Sequence, residues 1–378
     1  MFTRRAVLSG TGAAILASAG AHAADPIKVG VIVPLSGGAG RQGQDVANAI
    51  QAMATLVNAD GGVLGRRVEL LVRDDESTPA VGVAKANELA AAGVSVVLEG
   101  WNSPVTLAMQ SVLARAGVLD ITMISKADQI LASASNPLAI RLNSANAQDA
   151  AVIVAYLAHL KANRIVFVTQ NDAYGNGAQQ GMEAELKRAG VAYQNAATLK
   201  FPFAQTDFRV EVTSIADAKP DAVVIFDANE GAGLPAFLQQ YRQAKMEAPL
   251  ICSVGTVGPS VIETAGAAAN GLVSADIYFA DAEPFASNPA NKRFVAEVQK
   301  QFKGEPDKFM ALGAAALQVW ALAAARAKSL ERKAVAEAIR GQEIPGTIFG
   351  NVRFAANGQL DHRHEIFTVK DGKIAVER

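Results

Sequence analysis

A single cysteine stands in a chain of 378 residues, so neither an internal disulfide nor a thiolate metal site is available. Cys252 follows Leu250 and Ile251 and precedes Val254, which reads as a buried strand thiol packing as a small hydrophobe. Charge of one sign is also missing: Lys and Arg number 35 against 36 Asp and Glu, a formal net charge of -1. That balance argues against nucleic acid and against an anionic membrane surface as partners. Beyond the N-terminus, no segment reads as an uninterrupted apolar run of bilayer length. His362 and His364 are two residues apart and share one face of an expected strand, but no third ligand accompanies them. A solvated strand face is the reading for that pair, and no metal is expected. The acidic run Asp74-Asp75-Glu76 reads as a loop after a strand. No G-x-S-x-G elbow occurs, and no nucleophile stands with a base and an orienting partner. The expectation is a protein that is not an enzyme and needs no cofactor.

What the chain does have is a large apolar content, 50% hydrophobic against 19% charged, which fits a globular protein with a substantial core. Its length exceeds what one core usually fills, so two domains are expected. Residues 1–23 read as a cleavable export signal: Arg4 and Arg5, then a small apolar stretch from Ala6 to Ala19, then Ala21-His22-Ala23 as an A-x-A cleavage site. Thr3-Arg4-Arg5-Ala6-Val7-Leu8 resembles a twin-arginine signal, although paired arginines also open general secretory signals. No Cys stands at the cleavage site to carry a lipid. A periplasmic location follows as the expectation.

Strands and helices then alternate. Apolar strands are expected at 27–33, 68–72, 94–98 and 119–124, separated by helices at 44–58, 81–92 and 105–116. The pattern restarts with helices at 147–160, 178–189, 208–216 and 234–244 and strands at 164–169, 192–199, 222–226, 249–252 and 272–275. Continuous apolar strands between helices of this length imply parallel sheets covered on both faces. Three further helices, 289–302, 309–328 and 332–340, have no strand between them and are expected to cover the first sheet. A strand-rich tail from Thr347 to Val376 carries the hairpin turns Asn357-Gly358 and Asp371-Gly372. The fold class is therefore α/β, with two doubly wound Rossmann-like lobes.

Pro34-Leu35-Ser36-Gly37, the stretch Asn58-Ala59-Asp60-Gly61-Gly62-Val63-Leu64-Gly65-Arg66-Arg67-Val68-Glu69-Leu70 with Asp74-Asp75 beyond it, and Asn171-Asp172-Ala173-Tyr174-Gly175 together resemble the leucine/isoleucine/valine-binding family of type I periplasmic receptors. The resemblance covers essentially the whole mature chain. It implies two lobes joined by three crossovers near Asn143, Ser274 and Ala355: an N-terminal lobe of 24–143 plus 275–355 and a C-terminal lobe of 144–274 plus 356–378. It implies a monomer that closes on a small amino acid or related carboxylate and delivers it to the permease subunits of an ABC importer. A ligand-sensing module of the same fold, or a binder of an amide or an aromatic carboxylate, is the alternative.

In open α/β sheets, ligands sit beyond the carboxyl ends of the strands, and helix N-termini there favour an anion. The loops at those ends supply the candidates Ser36, Gln42, Asn102, Ser103, Ser125, Ala127, Asp128, Tyr174, Glu230 and Thr256. Ser103, before Pro104, reads equally as a helix cap or a ligand contact. By resemblance, the Ser125–Asp128 loop meets the ligand's amino-acid backbone and Tyr174 closes over it. Asp128 stands where the family more often has a hydroxyl, Gln42 where it often has an aromatic, and Gly255 near the usual place of an acid. Asp128 is expected to face a ligand ammonium, or else to pair with Lys126. Gly38-Ala39-Gly40-Arg41-Gln42-Gly43 satisfies G-x-G-x-x-G, but no acid ends the next strand at the spacing a dinucleotide requires.

Overall fold

The structure, a computed structural model, describes residues 25–132 and 136–376. The expected export signal and its cleavage site lie outside these residues. Ile27–Val33 (β1) is buried except at Lys28, and its β-branched residues suit a strand covered on both faces. It is followed by Gly40–Ala59 (α1), Val68–Asp74 (β2), Pro79–Ala91 (α2), Val96–Glu99 (β3), Ser103–Arg115 (α3), Leu119–Thr122 (β4), Gln129–Ala132 (α4) and Ala139–Arg141 (β5). The five strands form one parallel sheet in the order β2-β1-β3-β4-β5.

A second lobe repeats the plan with Asn146–Leu160 (α5), Arg164–Gln170 (β6), Ala173–Arg188 (α6), Gln194–Phe201 (β7), Arg209–Ala218 (α7), Ala222–Phe226 (β8), Gly233–Gln243 (α8), Leu250–Cys252 (β9), Pro259–Ala265 (α9) and Val273–Asp276 (β10). Its parallel strands run β7-β6-β8-β9-β10, the same winding as the first sheet. The chain then returns to the first lobe as Pro289–Phe302 (α10), Lys308–Ala327 (α11), Arg332–Ile339 (α12) and the antiparallel pair Glu343–Thr347 (β11) and Gly350–Arg353 (β12). Glu365–Lys370 (β13) and Lys373–Val376 (β14) finish as an antiparallel edge on β10. The chain therefore crosses between lobes three times: after β5, after β10, and between Leu360 and β13. The last crossing lies beyond Ala355, because Gln359 still bridges to Arg141 of β5.

Helix α11 packs its apolar residues into the core of the first lobe, with Trp320 fully buried. The helix is long and apolar enough to cross a membrane by length and composition alone, but Gln318 interrupts its apolar run and most of it is buried against the sheet and α1. Asp371 and Gly372 both take positive φ and close the two-residue loop between β13 and β14. Asn357-Gly358 closes only an isolated bridge, Phe354 to Leu360, with Gly358 at φ 88°. The short elements α4, β5 and α9 escaped the sequence pattern, and β11 begins at Glu343, ahead of the expected tail.

Candidate functional site: the interlobe cleft

Both sheets direct the carboxyl ends of their strands at one cleft. Between β3 and α3, Gly100 (φ 104°) makes the turn that delivers Trp101, Asn102 and Ser103. Asn102 is the residue before α3, extended at φ -85° and ψ 124°, with no side-chain cap bond. Its Oδ1 is buried without a protein partner. Pro104 has no N–H, and the Val105 and Thr106 N–H groups both donate to Asn102 O, so what this end of α3 offers a ligand is the Asn102 side chain rather than a row of open N–H groups. Ser103 is helical rather than the cap, and its Oγ accepts from the Lys126 and Ala127 N–H groups at 3.3 and 3.2 Å. That ties the loop after β3 to the loop after β4.

From the second lobe come Gln170 at the end of β6 and Tyr174 beyond it, Ala228 and Glu230 after β8, and Val254 and Thr256 after β9. Asp172 accepts from the Tyr174 and Gly175 N–H groups and so caps α6. The Tyr174 hydroxyl donates to Ser253 Oγ at 2.8 Å. Glu230 is buried with one carboxyl oxygen unpartnered, and burial holds its pKa well above the ordinary carboxylate range. Lys308 and Phe309 complete the lining from the start of α11. Lys308 Nζ lies 3.9 Å from the Phe309 ring centroid and donates to Gly255 O at 2.8 Å. Burial pulls the Lys308 ammonium down to about 8, opposed by the Asp276 carboxylate. The Phe309 and Trp101 rings lie 4.7 Å apart. Together these groups line a partly open cleft of about 370 Å³, a volume that includes space open to solvent.

The lobes touch around this cavity. Lys126 Nζ reaches from the first lobe to Asp149 Oδ2 at 2.5 Å and Val254 O at 2.8 Å. Asp149 also meets His364 Nε2 at 3.1 Å, and His362 Nε2 contacts Leu142 O. The histidines therefore join the first and third crossovers, a correction to the solvated strand face expected of them. Among the described residues, no cluster that could hold a metal occurs. The G-x-G-x-x-G run has packing reasons. A Cβ at Gly43 would lie 1.7 Å from Pro34 O, and one at Gly38 would lie 2.9 Å from the Phe203 ring of the other lobe.

Of the ten candidate residues, Asn102, Ser103, Tyr174, Glu230 and Thr256 line the cavity. Ser36 instead donates to Asp74 Oδ2 at 2.6 Å in an exposed turn. Gln42 is buried against Gly231 at the lobe contact. Ser125 Oγ shares a 2.7 Å bond with Thr106 Oγ1, and Ala127 O accepts from Arg141. Asp128 faces neither the cavity nor Lys126: its Oδ1 accepts from Ala147 N–H, and it lines a separate pocket with Arg141 and Gln359. The expected ammonium contact and its alternative, the Lys126–Asp128 pair, are both corrected, because Lys126 is taken by Asp149. Sequence reasoning missed Trp101, Gln170, Lys308 and Phe309. Trp101 lies in a loop already singled out, whereas nothing local marks Lys308.

Two lobes of repeated winding, three crossovers and a polar-studded cavity between them define a two-lobed solute receptor. The chain belongs to the periplasmic binding protein family, whose model matches residues 26–373, and within it resembles the branched-chain amino-acid type. The Leu/Ile/Val-binding protein BraC3 of Rhizobium johnstonii is 29% identical over 94% of each chain. Leu/Ile/Val-binding protein homolog 3 of Brucella melitensis is 26% identical over 96% of each. Among solved structures, the leucine-binding protein LivK of Thermotoga maritima superposes with a TM-score of 0.83 at 24% identity, covering 93% of this chain and 98% of that one. A solute-binding protein of R. palustris in complex with benzoate gives 0.84 at 23% identity, covering 93% and 95%. The chain is thus a substrate-binding protein of the ABC-transporter type.

Proposed function

We propose that the chain binds one small amino acid or related carboxylate between its lobes, closes on it, and delivers it from the periplasm to an ABC permease as a monomer, without chemical change. The observation that carries this reading is the interlobe cavity: Asn102 with an unpartnered Oδ1 on one side, and buried Glu230 with an unpartnered oxygen on the other. Such groups stay unpaired in a buried space at a cost, which a polar ligand relieves. The names of the curated relatives support an amino acid or a close analogue. Hinge closure suits two lobes with several crossovers.

Mass spectrometry of what co-purifies, followed by calorimetry and small-angle scattering, tests the reading. One equivalent of a small acid should bind, shrink the radius of gyration and be recovered unchanged. A folded protein that binds none, or converts its ligand, would overturn it. Export by the twin-arginine route belongs to the same proposal. Replacing Arg4 and Arg5 by lysine keeps the charge but should leave precursor in the cytoplasm; normal secretion of that variant would assign the general route.

A further inference from the structure

The turn at Val254 and Gly255 offers the cleft two backbone acceptors, and ammonium groups of the first lobe occupy both. Lys126 Nζ takes Val254 O and Lys308 Nζ takes Gly255 O, each at 2.8 Å. The two lysines differ in how they are neutralised. Lys126 is closed by Asp149 at 2.5 Å. Lys308 is 3% exposed; among the described residues its hydrogen bond is to a neutral carbonyl, and the buried Asp276 carboxylate acts on it only through space. An ammonium carries three donors, so Lys308 keeps donor capacity at the cavity it lines. Gly255 permits the approach: it sits at φ 72°, and a Cβ there would lie 2.0 Å from Lys308 Nζ.

A zwitterionic amino acid would bring a third ammonium beside these two and find the turn's acceptors taken. In a desolvated cleft, contact between like charges is costly. A carboxylate meets the opposite situation, with the spare donors of the Lys308 ammonium and an apolar wall of Trp101 and Phe309. Burial favours the neutral form of Glu230, and a neutral carboxyl can donate a hydrogen bond to a ligand oxygen.

We propose that Lys308 binds the ligand's carboxylate and that the cleft therefore selects small apolar carboxylates without an ammonium over the matching amino acids. This rests on the carboxylate-receptor reading above and narrows it. The test is calorimetry on the mature protein with matched probes: isocaproate against leucine, hydrocinnamate against phenylalanine, and isocaproamide as the neutral control. At least one acid should bind about tenfold or more tighter than its amino acid or amide, the range for a hydrogen bond to a charged group. Lys308→Met should weaken that acid by about tenfold or more and erase the preference over the amide. Gly255→Ala keeps the lysine but crowds its nitrogen, so it should act in the same direction. An amino acid that binds more tightly than its deaminated partner, or a zwitterion as the co-purifying ligand, would overturn the proposal while the receptor reading stands. An acid preference that survives Lys308→Met in a folded protein would overturn it too. If the folded wild type binds no probe and carries no small acid from the cell, both readings fall.

Discussion

Tyr174 presents its ring to the cavity because Asp172 caps the helix that carries it and Ser253 accepts its hydroxyl. A buried ring of this kind contributes mainly apolar area to a ligand. Tyr174→Ala should weaken ligand binding by about 1–3 kcal/mol with far-UV circular dichroism unchanged. An unaltered dissociation constant would make the ring purely structural. Below the cleft, Glu99 accepts from Thr106 Oγ1 at 2.9 Å and Thr122 Oγ1 at 2.6 Å, next to buried Asp120. Burial, more than the neighbouring acids, lifts Glu99 from 4.5 to about 7. The folded protein thus holds a proton that the unfolded chain has released, and that contribution is complete below 4.5 and lost as pH rises through 7. Glu99→Gln should flatten the decline in melting temperature across that window. A variant that declines as steeply as the wild type would show that Glu99 is already ionised in the native state.

Helices α1 and α11 meet where Gly313 faces Val46 and Ile50. An added Cβ at Gly313 would lie 2.7 Å from Val46 Cγ1 and 3.2 Å from Ile50 Cγ1. Close-packed interiors do not absorb such volume, so Gly313→Val should cost about 1–3 kcal/mol. Urea unfolding should show a lower midpoint with an unchanged slope. Gly304→Ala is the control, since nothing lies within 4 Å of a Cβ there. An equal loss in both variants would mean that backbone freedom, not the helix contact, sets the effect. The same contact explains why so apolar a helix as α11 belongs to the core: its outer face is covered by α1 and its inner face by the sheet.

The two lobes are held together at Lys126, which reaches Asp149 and Val254 across the cleft, while His364 supports Asp149 from the third crossover. Removing one partner leaves a buried carboxylate under-neutralised. Lys126→Met should therefore lower stability by about 3–5 kcal/mol, the usual cost of breaking a buried pair. It should also enlarge the ligand-free radius of gyration in small-angle scattering. A destabilised variant of unchanged radius would confine the pair to fold stability and remove it from the control of closure.

Much of the architecture was legible because its causes are local. The α/β alternation follows from apolar periodicity, and Tyr174 reaches the cavity through a cap and turn lying within Gln170 to Gly175. Asn58 likewise bonds both the N–H and C=O of Val68, which makes its glycine-rich turn readable from a short stretch. Asp128 was misread because a loop places successive side chains in directions that sequence does not record: Lys126 turns into the cleft and Asp128 away from it. Lys308 was not legible at all. Its carbonyl partner lies 53 residues away in the other lobe, and that of Lys126 lies 128 away. Local spacing decided the strands, the helices and the loops that could hold a ligand. Which charges meet inside the cleft was decided only when two separately wound sheets brought their strand ends together, because electrostatic contact depends on distance in space and not along the chain.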